Sequence, residues 1–342
     1  MIYKWDLDKT YIKTDFETLK GLIKTVLQKP EEKENVPGAS ALIKEIEKDK
    51  NNSVYFISGS PEQMRHVLEV KLKIDGIKWD NFVLKPNLRN LLHAKFRALK
   101  DQIGYKLPVL LEQRRITPVE VDEVLLGDDA ETDAFVYSMY ADIIARRVSK
   151  DMVEHVLHEA NIYEHIKNNI LKLYEEVKTA DPVKSIFIHL EKRTPPYRFN
   201  HYGNRVIPIY NYFQAAIVLY KGMYIDYDAV VNVGMNLVNN FNYSVDMLVN
   251  SLQDLLRRKT IIKKDIDRFK KEIKEDKKIW LKTPVSEILF SRFNESAEHL
   301  DYLSIDKKTE FIPENINYID LYREKNTKTE KKRRSFFEQY FE

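Results

Sequence analysis

The fold is decided by the stretch Ile2-Tyr3-Lys4-Trp5-Asp6-Leu7-Asp8-Lys9-Thr10, an apolar strand pattern that ends in two carboxylates one residue apart. Alternate side chains of a strand point to the same face, so Asp6 and Asp8 are expected to face one site. Two ionised carboxylates this close repel each other unless a cation or a shared proton neutralises them. By itself the pattern fits a metal site that handles phosphate, and it equally fits a strand that ends in an Asx-type turn.

Length and composition narrow the class of protein. A chain of 342 residues predicts about two domains, and a hydrophobic content of 43% is enough for packed cores. The chain has no cysteine, which excludes disulfide and thiolate chemistry. The first residues lack the basic region and apolar core of a signal peptide, so we expect a cytoplasmic protein. No transmembrane segment is expected, because the most apolar later stretch, residues 207–224, is short and interrupted by polar residues.

Three further apolar runs, at residues 54–57, 81–84 and 124–126, also end in polar groups. The groups that follow them are Ser58-Gly59-Ser60-Pro61, Lys85-Pro86, and Gly127-Asp128-Asp129 with Asp133. Helical patterns at 16–28, 61–72 and 91–103 lie between the runs, and this alternation predicts an α/β fold with a Rossmann-like parallel sheet. The carboxyl ends of parallel strands share one edge, where ligands bind, so Asp6, Ser58 and Asp128 are predicted to converge.

These residues resemble the motifs of the haloacid dehalogenase-like hydrolases, over residues 1–150. The first motif is matched by Asp6, Asp8 and Thr10, the second by Ser58, and the fourth by Gly127-Asp128-Asp129 with Asp133. Within that superfamily, the sequence looks most like the actin-patch-associated phosphatidate phosphatase family, at Ser58-Gly59-Ser60-Pro61, His93-Ala94-Lys95 and residues 127–137. The resemblance implies a Rossmann-like catalytic domain.

The third motif of that superfamily is a lysine, and the sequence offers two candidates. Lys95 stands at a predicted helix start, whereas Lys85 directly follows the third strand. The helix start favours Lys95 as the third-motif lysine. The segment 107–122, which has no assigned structure, lengthens the separation between Lys95 and Asp128.

The resemblance also implies a mechanism. Asp6 would be the nucleophile that forms an aspartyl-phosphate, and Asp8 would act first as general acid and then as general base. Mg²⁺ would be bound by Asp6, the backbone carbonyl of Asp8 and Asp128, while Ser58 and Lys95 would hold the phosphoryl oxygens. The supporting residues would be Thr10, Gly59, Asp129 and Asp133, of which the last two are candidates for the metal's water shell or for orienting the lysine. Asp129 equally fits a helix cap.

The insertions and the second half bear on the substrate. Only about forty residues separate Thr10 from Ser53, which leaves room for a minimal cap and predicts an open site suited to a large phosphorylated molecule. Helical spacing predicts a mainly helical accessory domain at 151–322, followed by a basic and aromatic tail at 323–342. Residues 192–205 are predicted to form a loop. Its charged side chains are either ordinary surface charges or contacts to the substrate. The candidate contacts are Lys85, Arg193, Arg198, His201 and Arg205.

The net charge is only +3, but basic residues are concentrated in two segments. Residues 257–282 contain 12 Lys/Arg and 5 Asp/Glu, and residues 323–334 contain 7 and 2. Such segments fit a membrane surface or nucleic acid as a partner, and also a solvated helix and a basic tail.

The leading interpretation is a Mg²⁺-dependent phosphomonoester hydrolase acting on a lipid phosphate such as phosphatidate. The alternatives are a phosphatase for protein or nucleic-acid phosphate ends, and a non-catalytic binding module.

Overall fold

The computed structural model describes residues 1–14, 29–86, 99–130, 132–275, 316–325 and 327. Within these residues, six strands form one parallel sheet in the spatial order β3-β2-β1-β4-β5-β6. The strands are β1 (Ile2–Trp5), β2 (Ser53–Pro61), β3 (Asn81–Lys85), β4 (Glu123–Asp128), β5 (Val183–His189) and β6 (Val206–Ile209). Since all pairs are parallel, the carboxyl ends of the strands lie along one edge of the sheet.

Helices cover both faces of the sheet. They are α1 (Ala39–Ile46), α2 (Arg65–Ile74), α3 (Leu99–Ile116), α4 (Asp133–Ile144), α5 (Lys150–Glu159), α6 (Glu164–Glu176), α7 (Tyr212–Lys221), α8 (Tyr227–Phe241), α9 (Val245–Arg257) and α10 (Lys263–Glu275), with a further helical segment at 318–325. Short 3-10 helices occur at Pro30–Glu32, Glu62–Met64 and Pro196–Tyr202. Several helices begin where a side-chain oxygen accepts a backbone N–H, which stabilises each start by about 1 kcal/mol; the capping residues are Ser149, Asn211, Asp226 and Ser244.

Alternation along β1 separates the two faces. Tyr3, Trp5 and Leu7 are buried in a core that includes residues of α1, α2, α7 and α8. Lys4 points to the other face, where its ammonium donates to the Glu123 carboxylate at 3.0 Å, beneath α3 and α4. The two-residue period of a strand predicts that Asp6 and Asp8 continue on the side of Lys4.

The predicted α/β class with a Rossmann-like parallel sheet is confirmed. The sequence reading missed β6, because Pro208 interrupts its apolar run. Among the described residues β6 is an edge strand that pairs only with β5, and an edge strand tolerates a residue without an N–H. The sequence patterns also left residues 107–116 without a predicted structure. These residues belong to α3, which has Pro108 inside it. The predicted helix at 16–28 and residues 91–98 of the predicted helix 91–103 lie outside the described residues.

The predicted domain boundary at residue 150 falls within this architecture. β5 and β6 follow the boundary and extend the same sheet beyond β4. The described part of 210–275 is mainly helical, in α7 to α10. The division into 1–150, 151–322 and 323–342 stays a prediction, and of the tail only residues 323–325 and 327 are described. No helix in the described part of the chain combines the length and the apolar composition that a membrane crossing requires.

Candidate active site

A buried ion-pair cluster lies at the carboxyl end of β1. Lys106 of α3 places its ammonium nitrogen 2.8 Å from Asp6 Oδ1 and 2.5 Å from Asp133 Oδ1, and all three side chains are fully buried. Ile103 and Leu110 lie on the same face of α3 as Lys106 and are also buried. The apolar packing of α3 therefore carries Lys106 to the two carboxylates.

Two hydroxyls at the end of β2 hold Asp8. Ser58 Oγ and Ser60 Oγ donate to Asp8 Oδ2 at 2.9 and 2.8 Å, and Ser58 Oγ accepts from the backbone N–H of Ser60 at 2.9 Å. The pairing of β2 with β3 shifts register between Ser58 and Pro61, where the chain carries Gly59. The side chain of Asp8 therefore has a fixed orientation, and the hydroxyl of Ser58, predicted to bind phosphate, is directed at Asp8.

The start of α4 brings a third carboxylate to the cluster. Asp133 lies so close to β4 that a Cβ atom at Gly127 would collide with its carboxylate, and Asp133 Oδ2 accepts from the backbone N–H of Asp128 at 3.3 Å. Carboxylate oxygens of Asp6, Asp128 and Asp133 lie within 4.8 Å of one another. The set suits a single cation held by several oxygen ligands, with Asp133 in addition to the predicted Asp6 and Asp128.

The electrostatics of the cluster also fit a divalent cation. Burial, together with Asp133, Asp128 and Asp8, raises the pKa of Asp6 well above its usual range, although Lys106 opposes the shift. Burial and Asp133 raise the pKa of Asp128 in the same way. Burial acts to lower the pKa of Lys106, but Asp133 and Asp6 raise it above its ordinary value. With all three carboxylates ionised and Lys106 protonated, the cluster would carry a charge of −2, which a hard dication such as Mg²⁺ would balance.

Side chains from the second half of the chain support the turn after β1. The hydroxyl of Tyr212 donates to the backbone carbonyl of Thr10 at 2.5 Å, and its ring stacks on those of Trp5 and His189. His189 Nδ1 lies 3.2 Å from the carbonyl of Lys9, a residue with φ of 62°. Burial lowers the pKa of His189, so the neutral ring donates its Nδ1 hydrogen to this carbonyl. Residues beyond 150 therefore position the Asp6 to Thr10 turn.

Asp129 fastens the β5–β6 loop, residues 190–205, beside the cluster. Its two carboxylate oxygens accept from the backbone N–H groups of Lys192 at 2.8 Å and Thr194 at 2.9 Å. Its own N–H donates to the carbonyl of His189 at 3.0 Å. The alternative that Asp129 caps α4 does not describe this geometry, because the residue before α4 is Thr132.

The other predicted site residues lie in several places. Lys95 lies outside the described residues. Lys85 ends β3, which β2 separates from β1 by about 10 Å in the sheet. Arg205 precedes β6 and is buried, with Nη2 donating to Asp142 Oδ1 at 2.7 Å, so its guanidinium lies at the amino end of that strand. Thr10 Oγ1 donates to Asp6 Oδ2 over 3.5 Å.

Arg193, Arg198 and His201 are exposed on the β5–β6 loop.

Sequence reasoning missed the contributions of Lys106, Ser60, His189 and Tyr212. A signal existed for Lys106, because this lysine interrupts the apolar spacing of Ile103, Leu107 and Leu110. None existed for Tyr212, whose contact with Thr10 spans 202 positions of sequence.

Residues 5–155 match the family model of the catalytic domain of phosphatidate phosphatase APP1. The matched segment contains Asp6, Asp8, Ser58, Lys106 and the Asp128 to Asp133 turn, and it covers fewer than half of the 342 residues. Comparisons with curated proteins and with solved structures gave no match. The match supports the narrower resemblance seen in the sequence and supports a phosphatase.

Proposed function

We propose that this protein is a Mg²⁺-dependent phosphomonoester hydrolase that acts on a lipid phosphate such as phosphatidate. The observation that carries the proposal is the buried cluster of Asp6, Lys106, Asp128 and Asp133 at the carboxyl ends of β1 and β4. This is the edge where α/β sheets bind ligands. The substrate class rests on the match of residues 5–155 to a phosphatidate phosphatase catalytic domain.

Asp6 is the proposed nucleophile. Its attack on phosphorus forms an aspartyl-phosphate and releases the alcohol, so that one difficult displacement becomes two easier ones. Lys106, which contacts Asp6 Oδ1 at 2.8 Å, favours the ionised carboxylate that this attack requires. The same ammonium can neutralise charge on the transferred phosphoryl group, because phosphoryl transfer depends on positioning and charge stabilisation.

Asp8 is the proposed general acid and base. Ser58 and Ser60 hold one of its oxygens, so the carboxyl group is oriented before substrate binds. Asp8 then donates a proton to the leaving oxygen and later takes one from the water that hydrolyses the intermediate. Mg²⁺, bound by Asp6, Asp128 and Asp133, would supply positive charge next to the nucleophile and the substrate phosphate.

Phosphate release from a substrate panel tests this function. The panel comprises phosphatidate, p-nitrophenyl phosphate, a phosphotyrosine peptide and a 5′-phosphorylated oligonucleotide, each with Mg²⁺ or with EDTA. We expect Mg²⁺-dependent release with phosphatidate as the preferred substrate. Asp6→Asn should lower kcat by about a thousandfold or more, whereas Asp151→Asn, on the exposed start of α5, is the matched control.

Three outcomes contradict parts of the proposal. Preference for the peptide or the oligonucleotide would overturn the lipid substrate. Unchanged release by Asp6→Asn would overturn the nucleophile. If no panel member released phosphate in a metal-dependent way, a binding module would be the better description.

A phosphoprotein trap tests the roles of the two acids separately. p-Nitrophenolate leaves without a proton, so Asp8→Asn should slow the second step more than the first with this substrate. We expect a protein-bound phosphate that hydroxylamine releases, with turnover reduced about 10²- to 10⁴-fold. This protein-bound phosphate should be absent from Asp6→Asn and from the double variant Asp6→Asn/Asp8→Asn. Protein-bound phosphate that persists in Asp6→Asn would place the covalent bond on another residue.

A further inference from the structure

We propose that the β5–β6 loop is the surface through which this protein contacts an anionic lipid bilayer. The inference rests on the proposed function, because it names the surface that would bring the cluster to a membrane-embedded phosphate. It depends on the loop's position, its two-sided structure and its charge.

The position follows from the contacts of Asp129. This residue directly follows Asp128 of the cluster, and its carboxylate binds the backbone of Lys192 and Thr194. His189, the last residue of β5, is in register with Asp128 and contacts the turn after β1 through Lys9. The loop therefore leaves the sheet at the catalytic edge, next to the carboxylates, and its backbone is held there by hydrogen bonds.

The 3-10 helix Pro196–Tyr202 gives the loop an inner and an outer side. In a 3-10 helix, residues three apart lie on the same side. Phe199 and Tyr202 point inward and are buried, with exposures of 7% and 1%. Arg198 and His201, also three apart, are exposed. The buried pair anchors the segment on the protein and leaves Arg198 and His201 facing solvent.

The outer side has the composition of an interfacial surface. Lys192, Arg193 and Arg198 are exposed against one exposed carboxylate, Glu191. Tyr197 is 66% exposed, and a tyrosine presents an apolar ring with a polar tip, which suits the headgroup region of a bilayer. Neither Arg193 nor Arg198 forms an ion pair with any residue that the structure describes. Both arginine side chains are exposed, and a guanidinium group binds phosphate oxygens through paired N–H donors.

The basic helix α10 is a poor alternative for the same task. It packs on Tyr220 near the end of α7, through Phe269 with ring centroids 5.5 Å apart. α7 starts at the catalytic edge with Tyr212, and Tyr220 lies about 12 Å further along the helix axis. A membrane bound to α10 would therefore lie toward the end of the sheet remote from Asp6.

Matched charge variants test this surface. Arg193→Gln/Arg198→Gln removes two positive charges from the loop, and Lys264→Gln/Lys271→Gln removes two from exposed positions of α10. Each charge near an anionic bilayer contributes about fivefold to binding, so the loop pair should weaken binding about thirtyfold. Binding is measured by sedimentation with phosphatidylcholine vesicles, with and without phosphatidylglycerol. Phosphatidylglycerol is a phosphodiester and therefore not a substrate for a phosphomonoesterase.

We expect the native protein to bind only the phosphatidylglycerol vesicles, the loop pair to lose this binding and the α10 pair to keep it. Absence of binding by the native protein, equal binding by the loop pair, or equal loss in both pairs would overturn the proposal. If native and loop-variant binding differ as expected but no phosphatidate is hydrolysed, the loop assignment holds and the proposed function fails.

Activity provides a second readout. The ratio of kcat/KM on vesicle phosphatidate to kcat/KM on p-nitrophenyl phosphate should fall about thirtyfold in the loop pair. A role in binding the substrate phosphate itself would lower both values equally and leave the ratio unchanged. An unchanged ratio would therefore overturn the membrane role of the loop.

Discussion

At the residue scale, Lys106 supplies a positive charge to two buried carboxylates of the cluster. It contacts Asp6 and Asp133, and all three side chains are withdrawn from water. Removing one partner of a buried ion pair leaves an uncompensated charge, which costs about 3–5 kcal/mol. The position therefore links the stability of the fold to the reactivity of Asp6.

Lys106→Met is expected to lower kcat about 10²- to 10³-fold, because the proposed nucleophile Asp6 and the phosphoryl group would lose their positive neighbour. Its thermal midpoint should also fall. Lys106→Arg keeps the charge and should recover part of the stability. The kcat of Lys106→Met is compared with that of Lys95→Met, which replaces the lysine favoured by the sequence pattern. Both values are measured on p-nitrophenyl phosphate. A larger loss at Lys95 than at Lys106 would support Lys95 as the third-motif lysine.

At the element scale, junctions between strands and helices deliver the reactive groups. β1 supplies Asp6 and Asp8, the end of β2 supplies Ser58 and Ser60, and the β4–α4 junction supplies Asp128 and Asp133. The last junction is the tightest, because the side chain of Asp133 occupies the space where Gly127 would carry a Cβ atom. Only glycine permits this approach of α4 to β4.

Gly127→Ala should displace Asp133 and thereby loosen both Lys106 and the proposed metal ligands. We expect a loss of about 1–3 kcal/mol in the free energy of unfolding, together with an increase in the Mg²⁺ concentration needed for half-maximal activity. Gly104→Ala is the matched control, since its new methyl group would meet Ile162 at an ordinary 3.4 Å in α3. Alanine favours a helix interior, so this control should keep or raise stability. Equal effects of both substitutions would argue against the crowding at Gly127.

At the scale of the whole molecule, the second half of the chain completes the site that the first half begins. Tyr212 and His189 contact the backbone of Thr10 and Lys9, and β5 and β6 continue the sheet beyond β4. The family match ends at residue 155, before any of these elements. Described residues after 155 therefore support the turn after β1 directly.

Tyr212→Phe removes the hydroxyl that donates to Thr10 and leaves a buried carbonyl without this donor. The expected cost is about 1–3 kcal/mol of unfolding free energy, with a lower kcat as the turn after β1 loosens. Tyr3→Phe is the control, because the buried Tyr3 hydroxyl forms no hydrogen bond among the described residues. Denaturant unfolding and p-nitrophenyl phosphate turnover check both variants. A loss as large in Tyr3→Phe would show that the Thr10 contact is not the cause.

Truncation after residue 150 tests the predicted domain division. The fragment 1–150 lacks β5, so β4 becomes an edge strand, and it lacks the Tyr212 ring that packs on Trp5. We expect no cooperative thermal unfolding and no Mg²⁺-dependent turnover from this fragment. A cooperative transition together with activity would support residues 1–150 as an independent domain.

Local patterns predicted most of the sheet edge that carries Asp6 and Asp128. The apolar runs and their polar ends identified β1 to β4, and parallel pairing explained in advance why Asp6 and Asp128 would meet. The patterns did not predict β6, whose Pro208 suits an edge strand. They also did not predict the role of Lys106, because the helix that carries it contains Pro108 and its second half had no predicted structure. Short strands and interrupted helices carry weak periodic signals, because only tertiary packing stabilises them.

The sequence by itself determined which polar groups stand at the strand ends, since residue type and two-residue alternation place Asp6 and Asp8 on one side of β1. Tertiary structure alone decided which lysine reaches Asp6, that Ser58 and Ser60 hold Asp8, and that Tyr212 supports Thr10. The physical reason is range. Alternation and motif spacing are local properties of the chain, whereas a buried ion pair or a hydrogen bond across 202 positions depends on how helices pack against the sheet.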